Sequence, residues 1–399
     1  MATSKSAALT LLLFVGAFDS ALAQIDPAKQ ELLEFGYDHP VSGAGPTAGY
    51  LFYYMNQPDF GRQGSTLRLA VAPVYVDSEY AIAHALGPRT DLALGLAGGG
   101  FAQDYAEVRQ GEYFRQESFD GHGGTASVSV YHLFDPGRRI PLNGVLRESV
   151  EYSDFARTAD TAPGFNLPPD HATFITRAGL RFGGERPTMP PSDALEISGW
   201  YEGRFRDRSG AYGEPDDRVL ERVSHFVWLK TVLVHVLPES GRRFGFGISA
   251  GTSVDADRLN GYGLGGFLPL TSAFPRDIPG YYNQEFTARR FVLFSGQVGA
   301  PLDREKRFLI NIFGASALVS YVPGLAQPGA SNSGVGVGLQ YDSPTHAWNA
   351  LIDYGYGIDA IRSGTRGAHS IGLTLQYDLL AGKRPAQPAR VAPLPVFKR

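Results

Sequence analysis

The chain of 399 residues contains no cysteine, which excludes disulfides, thiolate metal sites and cysteine nucleophiles and makes it indifferent to the redox state of its compartment. Past its first residues it also lacks an apolar run of membrane-spanning helical length. The longest candidate, Phe226 to Leu237, is broken by Lys230 and His235, so helical spans are not expected. A concentrated charge of one sign is missing too. The net charge is −4, without the basic field that a nucleic-acid partner calls for. Catalytic signatures are equally scarce: there is no Gly-x-Ser-x-Gly elbow and no phosphate loop. The nine histidines are scattered without the helical spacing of a metal site. Gly261-Tyr262-Gly263-Leu264-Gly265-Gly266 has a nucleotide-loop look, but it opens a long loop with no helix behind it and reads as a glycine turn. No catalytic, cofactor-binding or metal-ligating residue emerges.

What is present begins with the three-part layout of a cleavable export signal over residues 1–23. Lys5 is the positive flank, Ala7 to Phe18 the apolar stretch, and Ala21 and Ala23 the small residues before Gln24. Residues 24–45 then read as a periplasmic N-terminal segment. At the other end, 381–399 is proline-rich with no acidic residue and reads as a disordered periplasmic tail that could touch anionic lipid.

Between them, 49 Gly, 20 Tyr and 25 Phe are the composition of strands, turns and membrane interfaces. Two-residue alternation recurs. In the last segment Ile371, Leu373, Leu375, Tyr377 and Leu379 oppose Ser370, Gly372, Thr374, Gln376 and Asp378; one face suits lipid and the other water. The rhythm runs through 46–55, 66–76, 91–101, 124–134, 142–155, 172–182, 194–206, 220–236, 243–255, 285–300, 307–321, 333–342, 346–358 and 368–379. Many of these reach the roughly ten residues of a tilted membrane strand, whereas soluble strands average nearer five or six. Short turns such as 135–139, 238–241, 303–306 and 342–345 interleave with long polar links at 102–123, 156–171, 207–219, 256–284 and 322–332. The expected fold is therefore all-β, a transmembrane antiparallel up-and-down β-barrel over 46–380 of about 14 strands (12–16), with short periplasmic turns, long external loops and both mature termini in the periplasm.

Charge falls on faces expected to line the interior: Glu196, Trp200, Glu202, Arg204 and Arg206 on one strand, Arg177 and Arg181 on its neighbour. Lipid exposure of such residues would cost a few kcal/mol each near the midplane. Arg177, Arg181, Glu202, Arg204 and Arg206 are thus candidates for a lumen network, either a selectivity lining or a plug of Arg–carboxylate pairs. Loop 256–284 is too apolar, with Phe267, Leu268, Leu270, Phe274, Ile278 and Tyr281, to wave in water and is expected to fold into or over the lumen. Tyr50, Tyr152, Trp200, Trp228, Tyr321 and Trp348 are candidate interfacial girdle residues.

Two stretches carry a resemblance. Gly334-Val335-Gly336-Val337-Gly338-Leu339-Gln340-Tyr341-Asp342-Ser343-Pro344, followed by Leu351-Ile352-Asp353-Tyr354-Gly355-Tyr356-Gly357, resembles the last hairpin of the bacterial surface antigen family, the BamA/TamA-type barrels. Arg276-Asp277-Ile278-Pro279-Gly280-Tyr281 is similar to the tip of that family's inward-folding loop, with Pro279 at the arginine position, no evident aspartate between Arg307 and Tyr321 to receive one, and Arg276 and Asp277 as candidate replacements. Ser370, Gly372, Leu375 and Tyr377 resemble the final-strand signal by which insertion machinery recognises barrel clients, a signal common to most outer-membrane barrels. Only residues 24–45 precede the first expected strand, so the resemblance implies a barrel lacking the family's periplasmic client-binding domains.

The resulting expectation is a non-enzymatic outer-membrane barrel, a scaffold or gated passage occluded by an inward-folded loop. Its expected partners are outer-membrane lipid, lipopolysaccharide and, during assembly, the barrel-insertion machinery. No cofactor is called for and the passing substrate is not readable. A diffusion porin and a lipid-modifying barrel enzyme are the alternatives.

Overall fold

The computed structural model describes residues 28–46, 48–100, 103–135, 140–184, 193–266 and 276–381. The expected signal at 1–23 and all but the first residue of the expected tail at 381–399 lie outside the described residues. The wall is built from β1 (Gln30–Pro40), β2 (Ala48–Pro58), β3 (Ser65–Val71), β4 (Tyr75–Gly87), β5 (Thr90–Gly99), β6 (Phe119–Leu133), β7 (Leu142–Arg157) and β8 (His171–Gly184). It continues through β9 (Ala194–Arg206), β10 (Val223–Val236), β11 (Arg243–Val254), β12 (Phe286–Pro301), β13 (Phe308–Tyr321), β14 (Ser331–Asp342), β15 (Trp348–Arg362) and β16 (Thr365–Asp378). Each strand pairs antiparallel with the next, and β1 pairs with β16 from Leu32↔Asp378 to Pro40↔Ser370, which closes the ring. A seventeenth strand of the sheet, Tyr262–Leu264, hydrogen-bonds β12 alone and lies outside the circuit.

Sixteen barrel strands replace the expectation of about fourteen, and the barrel starts within the segment assigned to the periplasm. The two additional strands are β1 and β4, and both have blurred alternation. Leu32 of β1 is buried inward beside outward Leu33, and β4 turns Ala81 inward and Ser78 outward, so neither face looks pure. With β1 and β4 in the circuit, β2 runs away from the long-segment end and β3 toward it. Gln30 and Asp378 consequently lie at one end together with the short turns, and the long segments gather at the other.

Side chains are distributed inside out. On the outer wall Leu96, Leu229 and Ile312 are 66%, 61% and 62% exposed, whereas inward Glu196, Arg181 and Lys230 are 2%, 4% and 4% exposed. A soluble sandwich buries its apolar face and wets its polar one, and this ring does the reverse, the distribution that a lipid-facing wall requires. Tyr152 and Trp348 stand on the outer face as expected of a girdle. Tyr50, Trp200, Trp228 and Tyr321 do not. Strand parity turns them inward: Tyr50 lies against Gly36, Tyr321 bonds Asn332, and Trp200 and Trp228 stack with centroids 6.2 Å apart.

Candidate functional site

The long segments do not leave the barrel mouth open. Phe119, Phe165, Tyr212 and Leu220, all but fully buried, form a small apolar core among the segments beyond β5, β7 and β9, with Leu259 packed against it. Beneath it Glu107 has no exposed surface and is met by Arg258 at 2.6 Å, Arg218 at 3.5 Å and Arg109 at 3.6 Å. Tyr105 donates its hydroxyl to the same carboxylate at 2.5 Å. Burial and the Glu107 charge push that phenol well up, so it stays a donor. A carboxylate with three guanidinium neighbours ties distant loops together.

The segment between β11 and β12 folds into the lumen. Its base is a short ladder: Gly265 N–H donates to the Arg276 carbonyl at 3.2 Å, and Ile278 N–H to that of Gly266 at 3.1 Å. Tyr262 donates its hydroxyl to the carbonyls of Val227 and Thr252, both at 3.0 Å. Leu264, Ile278 and Tyr281 are 1%, 0% and 1% exposed and pack with wall residues Phe226, Trp228, Phe291, Leu293 and Ala317 into one core inside the barrel. Apolar loop residues thus fill the lumen toward the long-loop end. Phe267, Leu268, Leu270 and Phe274 lie outside the described residues.

The tip rests on bare backbone. Gly280 has φ +81, and a Cβ there would lie 1.9 Å from the nitrogen of Gly357 on β15. One on Gly334 of β14 would lie 2.1 Å from the Pro279 carbonyl oxygen. Only glycine allows both the left-handed turn and this approach. Behind the tip, Glu285 receives both terminal nitrogens of Arg362 at 2.9 and 2.8 Å, and the guanidinium lies 3.6 Å from the Tyr282 ring centroid. That bidentate pair fastens the returning loop to the end of β15.

Of the tip residues read from sequence, Ile278, Pro279, Gly280 and Tyr281 meet the wall, while Arg276 does not stand in for the missing arginine. Its Nε donates to the Gly263 carbonyl at 2.9 Å, and its guanidinium lies 5.5 Å from the Tyr262 ring and 5.8 Å from that of Phe291. Burial pushes the carboxyl of Asp277 up to about 7, against the pull of adjacent Arg276. The aspartates of the wall are elsewhere than between Arg307 and Tyr321. Asp38 on β1 and Asp353 on β15 are 1% and 3% exposed and both lie beside Gly372 of β16 in register. A Cβ on Gly372 would sit 2.3 Å from Asp353 Oδ2. Asp353 stands in the very Leu351-Ile352-Asp353 stretch that carried the resemblance, so the motif could have pointed to it.

The charged interior residues gather into islands. Glu202 receives Arg177 Nε and Arg204 Nε, each at 2.7 Å. Arg181 reaches Glu196 at 2.6 Å with Lys230 at 4.0 Å on its other oxygen. Arg206 pairs with Asp257 of the loop and donates to the Glu221 carbonyl at 2.8 Å. A further island on β3, β4, β6 and β7, with Glu79 between Arg68, Arg147 and Tyr131, was not foreseen. Of the final-strand residues, Ser370 and Gly372 face the lumen, and Leu375 and Tyr377 the outside.

No family model and no curated protein matches the chain. Solved structures do. CdiB from Acinetobacter baumannii superposes with a TM-score of 0.52 at 10% identity over 88% of this chain and 60% of its own. CdiB from Escherichia coli gives 0.54 at 11% over 88% and 63%. A BamA from Haemophilus ducreyi lacking POTRA domains 1–3 gives 0.53 at 12% over 92% and 78%. The chain has the fold of these barrels. It spans about three fifths of the length of the two CdiB chains.

Proposed function

We propose that this protein is an outer-membrane barrel of the BamA/TamA surface antigen lineage, exported by residues 1–23, that serves as a scaffold or gated passage for polypeptide or lipid and rests closed. The observation that supports closure is the seating of Ile278 to Tyr281 against the glycines of β14 and β15. The final-strand residues Ser370, Gly372, Leu375 and Tyr377 would present the barrel to the insertion machinery, and the lumen islands would brace the wall around the loop. No catalytic role is assigned to any side chain.

Single-channel conductance in planar bilayers tests this, comparing the full chain with a deletion of residues 262–282. The expected result is silence or rare flickering in the full chain and sustained current in the deletion. Large, steady conductance in the full chain would favour the diffusion porin, and silence in both would leave the loop without an occluding role.

A further inference from the structure

On the far side of the wall that the plug packs against, and away from the closing seam, the outer face of β10 to β13 carries an apolar groove of about 550 Å³ in its long-loop half. Strand register explains its make-up. Leu229, Ala250, Val292 and Leu318 are directly opposite one another in a row across the four strands, and the small Ala250 leaves a dent between larger neighbours. One step toward the long loops, the same strands place Thr252, Arg290 and Ser320 side by side. A guanidinium flanked by two hydroxyl-bearing residues, at a strand spacing of about 4.8 Å, sits at the head of an apolar trough.

A bulge makes this arrangement possible. The pairing of β12 with β13 shifts register between Ala288 and Arg290, and Arg289 and Arg290 are both exposed where strict alternation would turn one inward. Ser253 donates to the Arg289 carbonyl at 2.8 Å and fixes the bulge. Bulges re-aim side chains in this way. Among the described residues no carboxylate pairs with either arginine. Two adjacent exposed guanidinium groups on the outer wall, toward its long-loop end, suit an anion supplied by the surroundings.

We propose that this groove binds a phosphorylated glycolipid of the outer leaflet, of the lipid A class. One acyl chain lies in the dent over Ala250 between Leu229 and Leu318. Its phosphate is received by Arg290 between Thr252 and Ser320, with Arg289 alongside. This rests on the outer-membrane reading above, with the long segments facing outward.

Native mass spectrometry of the detergent-purified full chain tests the site, with bis-phosphorylated lipid A, the same glycolipid stripped of phosphate, and phosphatidylglycerol as probes. One lipid A per barrel is expected, with about tenfold weaker retention of the dephosphorylated form and of phosphatidylglycerol, since loss of one charge-assisted contact costs on that order. Arg290→Gln and Ala250→Trp should each lose a similar factor, while Arg62→Gln, in the turn after β2 at the opposite end, should not. Heat-modifiable gel mobility verifies that each variant is folded; if Ala250→Trp fails that check, Arg290→Gln decides. Undiminished binding by Arg290→Gln, or equal binding of the dephosphorylated or glycerophospholipid probe, would overturn the proposal. Membrane fractionation of cells reads the location separately, so a chain found elsewhere that still retains lipid A in this way would sink the location and leave the site standing.

Discussion

Asp277 is a single carboxyl whose protonation bears on whether the loop stays docked. In the folded chain it is held at about 7, above an ordinary value of 3.8, by burial. The docked form therefore keeps a proton that an undocked, solvated Asp277 would release. Docking is fully supported below the ordinary value and loses that support as pH rises from there through about 7. On the gated-passage proposal, channel opening should accordingly become more frequent between pH 5 and pH 8, and Asp277→Asn, which cannot ionise, should flatten the dependence. A pH-independent opening rate in the unaltered chain would contradict this. Arg276 illustrates what a motif cannot convey at this scale. Its place beside the tip suggested a reach to the wall, whereas the aromatic rings of Tyr262 and Phe291 and a carbonyl of its own loop hold it back.

Strands β8 and β9 were legible because bulky apolar residues alternate with glycine or charge, and the register then brings Arg177 opposite Glu202. Removing that carboxylate leaves Arg177 and Arg204 without their shared partner in a largely buried setting, which typically costs about 3–5 kcal/mol. Glu202→Ala should thus lower the unfolding midpoint in urea, read by gel mobility of the folded form, and Glu202→Gln should recover part of the loss through its remaining acceptor. An unchanged midpoint in the alanine variant would show the island to be energetically neutral. Strands β1 and β4 lack that clean alternation. Leu32, Ala81 and Ser78 sit on faces that their polarity does not announce, and only the neighbouring strands decide which way each points. Asp38 was hidden by topology, since it comes beside Gly372, and so one strand from Asp353, only when the first and last strands close the ring.

Closure of that ring is the property of the whole molecule, and the absence of native cysteine makes it directly measurable. Phe35 and Leu375 are opposite each other across the β1–β16 seam, and residues so placed in antiparallel strands have Cβ atoms about 4.5–5.5 Å apart. Phe35→Cys with Leu375→Cys should cross-link under mild oxidation and give a circular product of altered gel mobility. Phe35→Cys with Tyr377→Cys, displaced by two residues, should do so far less. Equal yields from the two pairs would mean that the seam slides or opens.

The same glycines that seat the loop give the closed barrel a second, concealed surface. Lifting Pro279 and Gly280 away would leave a channel floor of naked peptide along β14 and β15, with no side chains at Gly334, Gly355 or Gly357 to hide its amides and carbonyls. Its border on the last strand is formed by Ser370 and Ala368, opposite Gly355 and Gly357. Withdrawal of the plug would therefore do more than widen a hole: it would uncover a patch of unclothed main chain two strands wide, whose amides and carbonyls meet whatever enters without regard to its side chains.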